Sequence, residues 1–182
     1  MQPLRTLTLQ LAALATAERY LFTPHDLRAL LPALSTAAFK TLLSRASEAG
    51  TITRICRGLY CVDHATPPNG LLLFHAAARL RADGFNYISL ETALSDASVI
   101  SQVPINRVTI MSSGRSNVIG CGKFGTIEFV HTRNTPDSLR PKLHYDTGCK
   151  MWRASVSQAL RDMRATHRST DLVDWRSANE FI

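Results

Sequence analysis

The chain has 182 residues, 45% of them hydrophobic, which suits one globular domain or two small ones and excludes a disordered polymer. Its 21 Lys and Arg against 14 Asp and Glu give a formal net charge of +7, which favours a polyanionic partner such as nucleic acid or an anionic membrane face. The alternative is that the charge serves solubility alone. No stretch approaches the ~20 apolar residues of a membrane span.

The first predicted element is a helix from Leu7 to Tyr20. Four leucines recur at steps of three and four, as on one face of an amphipathic helix: Leu4, Leu7, Leu11 and Leu14. The same run resembles the core of a signal peptide, but Gln10 interrupts it and one basic residue precedes it. We therefore expect a soluble, cytoplasmic protein.

The second predicted helix has clear start and stop signals. Thr23 is a good N-cap, Pro24 suits the first helical position, and Asp26 favours the positive end of the helix dipole. Pro32 is expected to end this helix.

The third predicted helix begins after the cap residue Ser35 and closes at Gly50. Its apolar face carries Phe39, Leu42, Leu43, Ala46 and Ala49. Most side chains on its other face are short and polar. This face has two cations and no acid until Glu48, so we predict that it approaches an anion. The residues of that face are Thr36, Ala37, Lys40, Thr41, Ser44 and Arg45.

A short hairpin follows, with strands at Thr51–Cys56 and Leu59–Val62 around an Arg57-Gly58 turn, where glycine can take a positive φ. Three helices and a hairpin predict a winged helix-turn-helix whose third helix reads the major groove. Lys40 would meet a base edge or a phosphate, and Arg45, Arg54 and Arg57 would hold phosphates or enter the minor groove from the wing. The alternative is a protein-docking module of the same fold.

A polar linker with two prolines, Asp63–Gly70, indicates a boundary between domains 1–65 and 66–182. The second domain is predicted to be α+β with a small sheet. Helices are expected over Leu71–Gly84 and, capped by Ser89, over Leu90–Ala97. Strands are expected at 87–88, 105–113 and 125–133, with a further one at Ser116–Ile119. Residues 138–150 are interpreted as a basic loop, 151–169 as a helix, and the last residues as a short helix.

The residues give no constellation typical of an enzyme. Glu91 and Asp96 lie on poorly matched helix faces, and the glycine-rich run at 120–125 lacks the Lys-Ser/Thr ending of a phosphate loop. The six histidines and four cysteines lack metal spacing, and reduced thiols are expected, although a Cys56–Cys61 disulfide is conceivable. We therefore predict no catalytic site, metal, cofactor or small-molecule substrate. Possible anion or partner contacts in the second domain are Arg107, Arg115 and Lys123.

The chain resembles a known family. "FTPHDLRALLP" and "STAAFKTLLSRASEAGTITRICRGLYCV" resemble the winged-helix domain of AbiEi-type antitoxins, with "RGLYCV" the most typical segment. "YISLETALSDASVISQVPINRVTIMSSGRS", "GTIEFVHTR" and "ASVSQALRDM" resemble the C-terminal domain of the same family. The resemblance covers residues from about 21 to about 174, and many members continue with further helices.

This resemblance implies an antitoxin of a type IV toxin–antitoxin system. Such proteins bind inverted repeats in their own promoter and repress transcription, and their C-terminal domain counteracts a nucleotidyltransferase-like toxin without forming a stable complex with it. A stand-alone winged-helix regulator and a protein-interaction module are the alternatives.

Overall fold

The computed structural model describes residues 2–68, 70–101 and 106–181. The chain divides into two compact units, Met1–Leu72 and Leu73–Ile182. The composition of the linker places the boundary earlier, after residue 65. Ile105, the start of a predicted strand, lies outside the described residues, as does Ile182 at the end of the last helix.

The first unit is a winged helix-turn-helix, which confirms the predicted fold. Its elements are α1 (Pro3–Leu14), β1 (Leu21–Phe22), α2 (Pro24–Ala29), α3 (Thr36–Glu48), β2 (Thr53–Cys56) and β3 (Leu59–Cys61). The strands form an antiparallel sheet in the order β1-β3-β2. Leu7 and Leu11 of α1, with Phe39, Leu42, Leu43 and Ala46 of α3, form part of its core.

The first helix was wrongly placed. It begins at Pro3, because proline suits the first turn of a helix, and ends at Leu14, where Ala15 is extended. Thr16 and Arg19 then exchange two backbone hydrogen bonds of 3.1 and 2.9 Å in a reverse turn. The strand β1 that follows was not predicted, since two residues are too few to show an alternation.

The predicted caps of α2 and α3 are confirmed. Thr23 and Asp26 form a reciprocal capping box, and the Ser35 hydroxyl accepts a hydrogen bond from the Ala38 amide at 3.2 Å. The helix α2 ends at Ala29, earlier than Pro32 would require. Ala49, predicted to face the core, is exposed because it lies beyond the last turn of α3.

The hairpin and its Arg57-Gly58 turn are confirmed, although its strands are shorter than predicted. Cys56 pairs with Leu59 across the two-residue turn, and Gly58 has a φ of +84°. Cys61 pairs with Thr53 and therefore does not face Cys56 across the ladder. All four cysteines of the chain are buried and unbridged.

The second unit is built on a six-stranded mixed sheet. Its elements are α4 (Leu72–Leu80), β4 (Asn86–Ile88), α5 (Leu90–Asp96), β5 (Arg107–Ser112), β6 (Asn117–Gly120), β7 (Thr126–His131), α6 (Pro136–Leu139), β8 (Leu143–Asp146), β9 (Met151–Ala154), α7 (Val156–Ala165) and α8 (Trp175–Ala178). The strand order is β6-β7-β5-β4-β9-β8. Pairs β5–β7 and β4–β9 are parallel, and the other neighbours are antiparallel. The α+β fold and the strand at β6 are confirmed.

Several predictions for this unit were wrong. Residues 138–150 are not a loop, since they contain the end of α6 and the edge strand β8. Met151–Ala154 is the strand β9 rather than the start of a helix. The helix α7 begins at Val156, directly after Ser155, whose hydroxyl caps it. The helix α4 also stops at Leu80, four residues before Gly84.

Ser89 does not cap α5 as predicted. Its hydroxyl donates to the Asp162 carboxylate at 2.7 Å, and the Gln158 amide donates to the other oxygen at 2.8 Å. All three side chains are buried. Burial raises the pKa of Asp162 above its ordinary value, because removal from water penalises the charged form.

Candidate nucleic-acid interface

The turn between α2 and α3 is held by Arg28, a residue that the sequence analysis did not single out. Its guanidinium donates to the carbonyl oxygen of Leu34 and, at 3.5 Å, to that of Ser35. The guanidinium also lies 5.3 Å from the ring centroid of Phe39. Arg28 therefore links the end of α2 to the first turn of α3 and sets the angle at which α3 begins. The available sequence signal was an arginine in the last turn of α2.

The solvent face of α3 is the one predicted from helical periodicity. Every residue predicted for it is exposed: Ser35, Thr36, Ala37, Lys40, Thr41, Ser44 and Arg45. Phe39, Leu42, Leu43 and Ala46 are buried on the opposite side. At 13 residues the helix is about 20 Å long, and the major groove of B-DNA is about 12 Å wide. The short side chains near its first turn would let the backbone come close to base edges.

The cations of this face are available to an external anion. The side chains of Lys40 and Arg45 form no hydrogen bond or ion pair with another described residue. The one acid on the helix, Glu48, lies at its far end, where it accepts a hydrogen bond from the Ser44 hydroxyl at 3.2 Å. The positive charge of α3 is therefore not neutralised along the part of the helix that would enter a groove.

The wing presents its arginines as predicted. Arg54 and Arg57 are exposed, on β2 and on the hairpin turn respectively. Arg54 donates from Nε to the carbonyl oxygen of Cys56 at 3.3 Å, which leaves its terminal nitrogens for another acceptor. The guanidinium of Arg57 has no partner among the residues that the structure describes. These two guanidinium groups give the wing a cationic tip.

The hairpin itself, residues 53–61, contains no acidic side chain. Asp63, at the foot of the hairpin, accepts a hydrogen bond from the Thr53 hydroxyl at 2.9 Å. The neighbouring Cys61 is a neutral thiol, because burial raises its pKa to about 11.

An apolar groove of about 510 Å³ runs beside the solvent face of α3, and it was not predicted. Pro3 and Leu4 of α1 form one wall, and Leu34 and Leu42 form the other. Arg45 lies at its margin.

The three cations proposed in the second unit do not form one site. Arg107 donates twice to the Glu128 carboxylate, at 3.2 and 2.6 Å, so its charge is compensated within the chain. Lys123, exposed, lies 5.2 Å from the ring of Phe124 at the same end of the sheet as Arg107. Arg115 is exposed in the loop after β5, about 16 Å away along that six-residue strand.

Within the described ranges no group of three or more His, Cys, Asp or Glu side chains could hold a metal ion. Every helix found there is too short or too polar to cross a membrane.

The helix pair, the capped third helix and the basic hairpin define a winged helix-turn-helix protein. Residues 10–62, all within the first unit, match the family model described as "Transcriptional regulator, AbiEi antitoxin". The N-terminal region is therefore similar to the AbiEi antitoxin family of transcriptional regulators over these residues. No curated protein matches the chain. For residues 63–174 the resemblance stays a prediction.

Proposed function

We propose that this protein is a cytoplasmic DNA-binding antitoxin of a type IV system that represses its own promoter and counteracts a nucleotidyltransferase-like toxin. The observation that carries the DNA-binding part is the uncompensated cationic face of α3 beside a basic wing. The match of residues 10–62 to a family model of transcriptional regulators supports the regulatory part.

The roles of the residues follow from their positions. Thr36, Ala37 and Lys40 occupy the first turns of α3, the part of a recognition helix that meets base edges. Ser35 would position that end as its cap, with Thr41 and Ser44 further along the same face. Arg45, Arg54 and Arg57 would hold phosphates on both sides of the groove. The expected target is an inverted repeat upstream of the gene for this protein.

The first test is fluorescence anisotropy with the duplex upstream of the gene and a scrambled duplex of equal length. If Lys40, Arg45, Arg54 and Arg57 neutralise four phosphates, log K should fall with log salt with a slope of about −3.6. We expect much tighter binding to the native duplex. Equal and weak binding to both duplexes would refute sequence-specific repression and favour a docking module.

Three single variants resolve the roles. Arg57→Ala should weaken binding to both duplexes alike and reduce the slope by about 0.9, since it removes one phosphate contact. Lys40→Ala should lower the preference for the native duplex if Lys40 reads a base. Arg161→Ala is the matched control, because it removes one exposed cation from the second unit. An equal effect of all three would show that net charge alone drives binding.

The antitoxin part needs a separate experiment. If the product of the neighbouring gene is a toxin that stops growth, co-expression of this protein should restore growth. The Lys40→Ala protein, supplied from an unrelated promoter, should restore growth equally well. Failure to restore growth would leave a stand-alone regulator. Stable co-purification with that gene product would instead favour the protein-interaction module.

A further inference from the structure

One end of the six-stranded sheet collects cations, and we call it the basic end. The strands β5, β7 and β8 finish there, and β4, β6 and β9 begin there, as their pairing requires. Arg81, Arg115, Arg133 and Lys150 come from the segments that lead into or out of these strand ends. The topology thus brings together cations that are up to 69 positions apart in the sequence.

The two ends of the sheet differ in how their charges are compensated. At the opposite end, Arg107 and Arg168 both bind Glu128, and Arg168 also binds Glu91 at 2.7 Å. At the basic end, the side chains of Arg115 and Arg133 are exposed and form no ion pair with another described residue. These two guanidinium groups are open to an external anion. Of the carboxylates at this end, Asp146 binds Arg153, and Asp83 is exposed in the segment before β4.

Arg81 is the most informative of these cations. It donates to the Ser112 hydroxyl at 2.8 Å and to the Arg115 carbonyl oxygen at 2.6 Å, and it stacks 3.9 Å from the ring centroid of Phe129. All these partners are neutral, and no carboxylate of the described chain pairs with it. Gly114 leaves room for this placement, since a Cβ there would lie 2.9 Å from Nη1 of Arg81. A half-buried guanidinium without a counter-charge is costly, and burial lowers its pKa, so an anion at this place would stabilise it.

Two exposed aromatic rings line the same cavity as this guanidinium. Trp152 and Tyr145 are directly opposite each other on β9 and β8, with ring centroids 5.4 Å apart in an edge-to-face arrangement. They line a cavity of about 220 Å³ together with Arg81, Phe85 and Lys150, and no carboxylate lines it. This volume is below the roughly 300–1,000 Å³ of pockets that enclose a whole small ligand, so it suits one flat group of a longer molecule.

We propose that the basic end is a second nucleic-acid site, which binds single strands. An unstacked base would pack on Trp152 and Tyr145, and the adjoining phosphates would lie against Arg81, Arg115 and Arg133. Aromatic platforms beside cations are the usual means of binding single strands with little sequence preference. This site is independent of the duplex-binding face of the first unit.

Tryptophan fluorescence tests the proposal in the full chain. Trp152 and Trp175 are the two tryptophans, so the Trp175→Phe protein reports on Trp152 alone. Short oligoadenylates of RNA and DNA are the probes, with polyglutamate as an anion without bases. We expect both oligoadenylates to bind and to quench Trp152, whereas polyglutamate should bind weakly and without quenching. Equal binding of polyglutamate, or no binding of either oligoadenylate, would overturn the proposal.

A matched pair of variants locates the contact. Trp152 and Trp175 are 43% and 41% exposed, so Trp152→Thr and Trp175→Thr remove similar surface from different places. Loss of a stacked base should weaken oligoadenylate binding at least fivefold in Trp152→Thr and leave it unchanged in Trp175→Thr. Equal losses in the two variants would refute the site.

A second variant keeps the test valid if Trp152→Thr fails to fold. Arg115→Ala with Arg133→Ala removes two exposed cations and should reduce the salt slope for a single strand by about 1.4. Lys40→Ala, in the first unit, should leave that slope unchanged. A slope that responds to Lys40→Ala and not to the double variant would place single-strand binding on α3 and overturn the proposal.

Discussion

Removal of the Arg28 guanidinium should loosen the helix-turn-helix without disturbing the rest of the chain. Arg28→Met keeps most of the apolar stem and removes the donors to the Leu34 and Ser35 carbonyl oxygens. A hydrogen bond from a charged donor contributes about 1.5–3 kcal/mol, and the second bond, at 3.5 Å, adds little. The contact with the Phe39 ring adds about 0.5 kcal/mol at a partly exposed site. Because the side chain is partly exposed, we expect a loss of about 2 kcal/mol.

Hydrogen exchange of the full protein measures this effect locally. A loss of about 2 kcal/mol should raise the exchange rate of amides in the turn and the first part of α3 roughly 30-fold. Amides of the second unit should exchange as before. Arg19→Met is the control, since Arg19 also lies over a ring, that of Phe22 at 5.6 Å, but outside the turn. Equal acceleration at the turn in both variants would refute the role given to Arg28.

Three further predictions concern stability. Ser35→Ala should destabilise α3 by about 1 kcal/mol through loss of its cap, as measured by urea unfolding followed by circular dichroism. Gly58→Ala should lower the free energy of unfolding by about 1 kcal/mol, because the φ of +84° at this position disfavours a side chain. Gly120→Ala should lower it less, since an added Cβ there would meet no atom within 4 Å and the φ is not positive. Equal losses in the two variants would contradict this reason. The raised pKa of Asp162 means that the native state holds a proton that the unfolded chain releases, so the free energy of unfolding should fall as the pH rises from the ordinary aspartate pKa through that of the folded state. The Asp162→Asn variant should flatten this fall. An unchanged pH profile of stability in the variant would show that Asp162 does not cause it.

The parts of the fold that the sequence predicted correctly depend on local chemistry. A cap residue acts within four positions, so Thr23 and Ser35 marked the starts of α2 and α3. The Arg57-Gly58 turn is equally local. The exposed face of α3 follows from helical periodicity over thirteen residues. In each case the information lies in the segment itself.

The strands β8 and β9 could not be predicted in this way. Each has four residues, and β9 is a strand because it pairs in parallel with β4, more than sixty positions earlier. The helix α7 comes directly after β9, and in the sequence alone its helical pattern includes the residues of β9. Ser155, the cap at which the pattern truly begins, was the signal that could have separated them.

The site residues divide along the same line. Lys40 and Arg57 could be predicted as exposed cations, because exposure and charge can be read from their own segments. Arg28 and Arg81 were not, because each acts through carbonyl oxygens that tertiary packing brings to it. An arginine that donates to backbone carbonyls looks the same in sequence as one left free in solvent.

The net charge of +7 therefore does not show which cations can bind an external anion, because that depends on the partners of each cation. Arg107 and Arg115 contribute equally to that sum, yet Glu128 compensates the first and no described carboxylate pairs with the second. Some cations without a described carboxylate partner lie on α3, on the wing and at the basic end, whereas Arg161 lies on α7, outside these surfaces. If phosphates bind at the three surfaces, position rather than charge alone decides the effect. The salt slopes for duplex and single strand should then follow variants of those surfaces and ignore Arg161→Ala, although each change removes one positive charge.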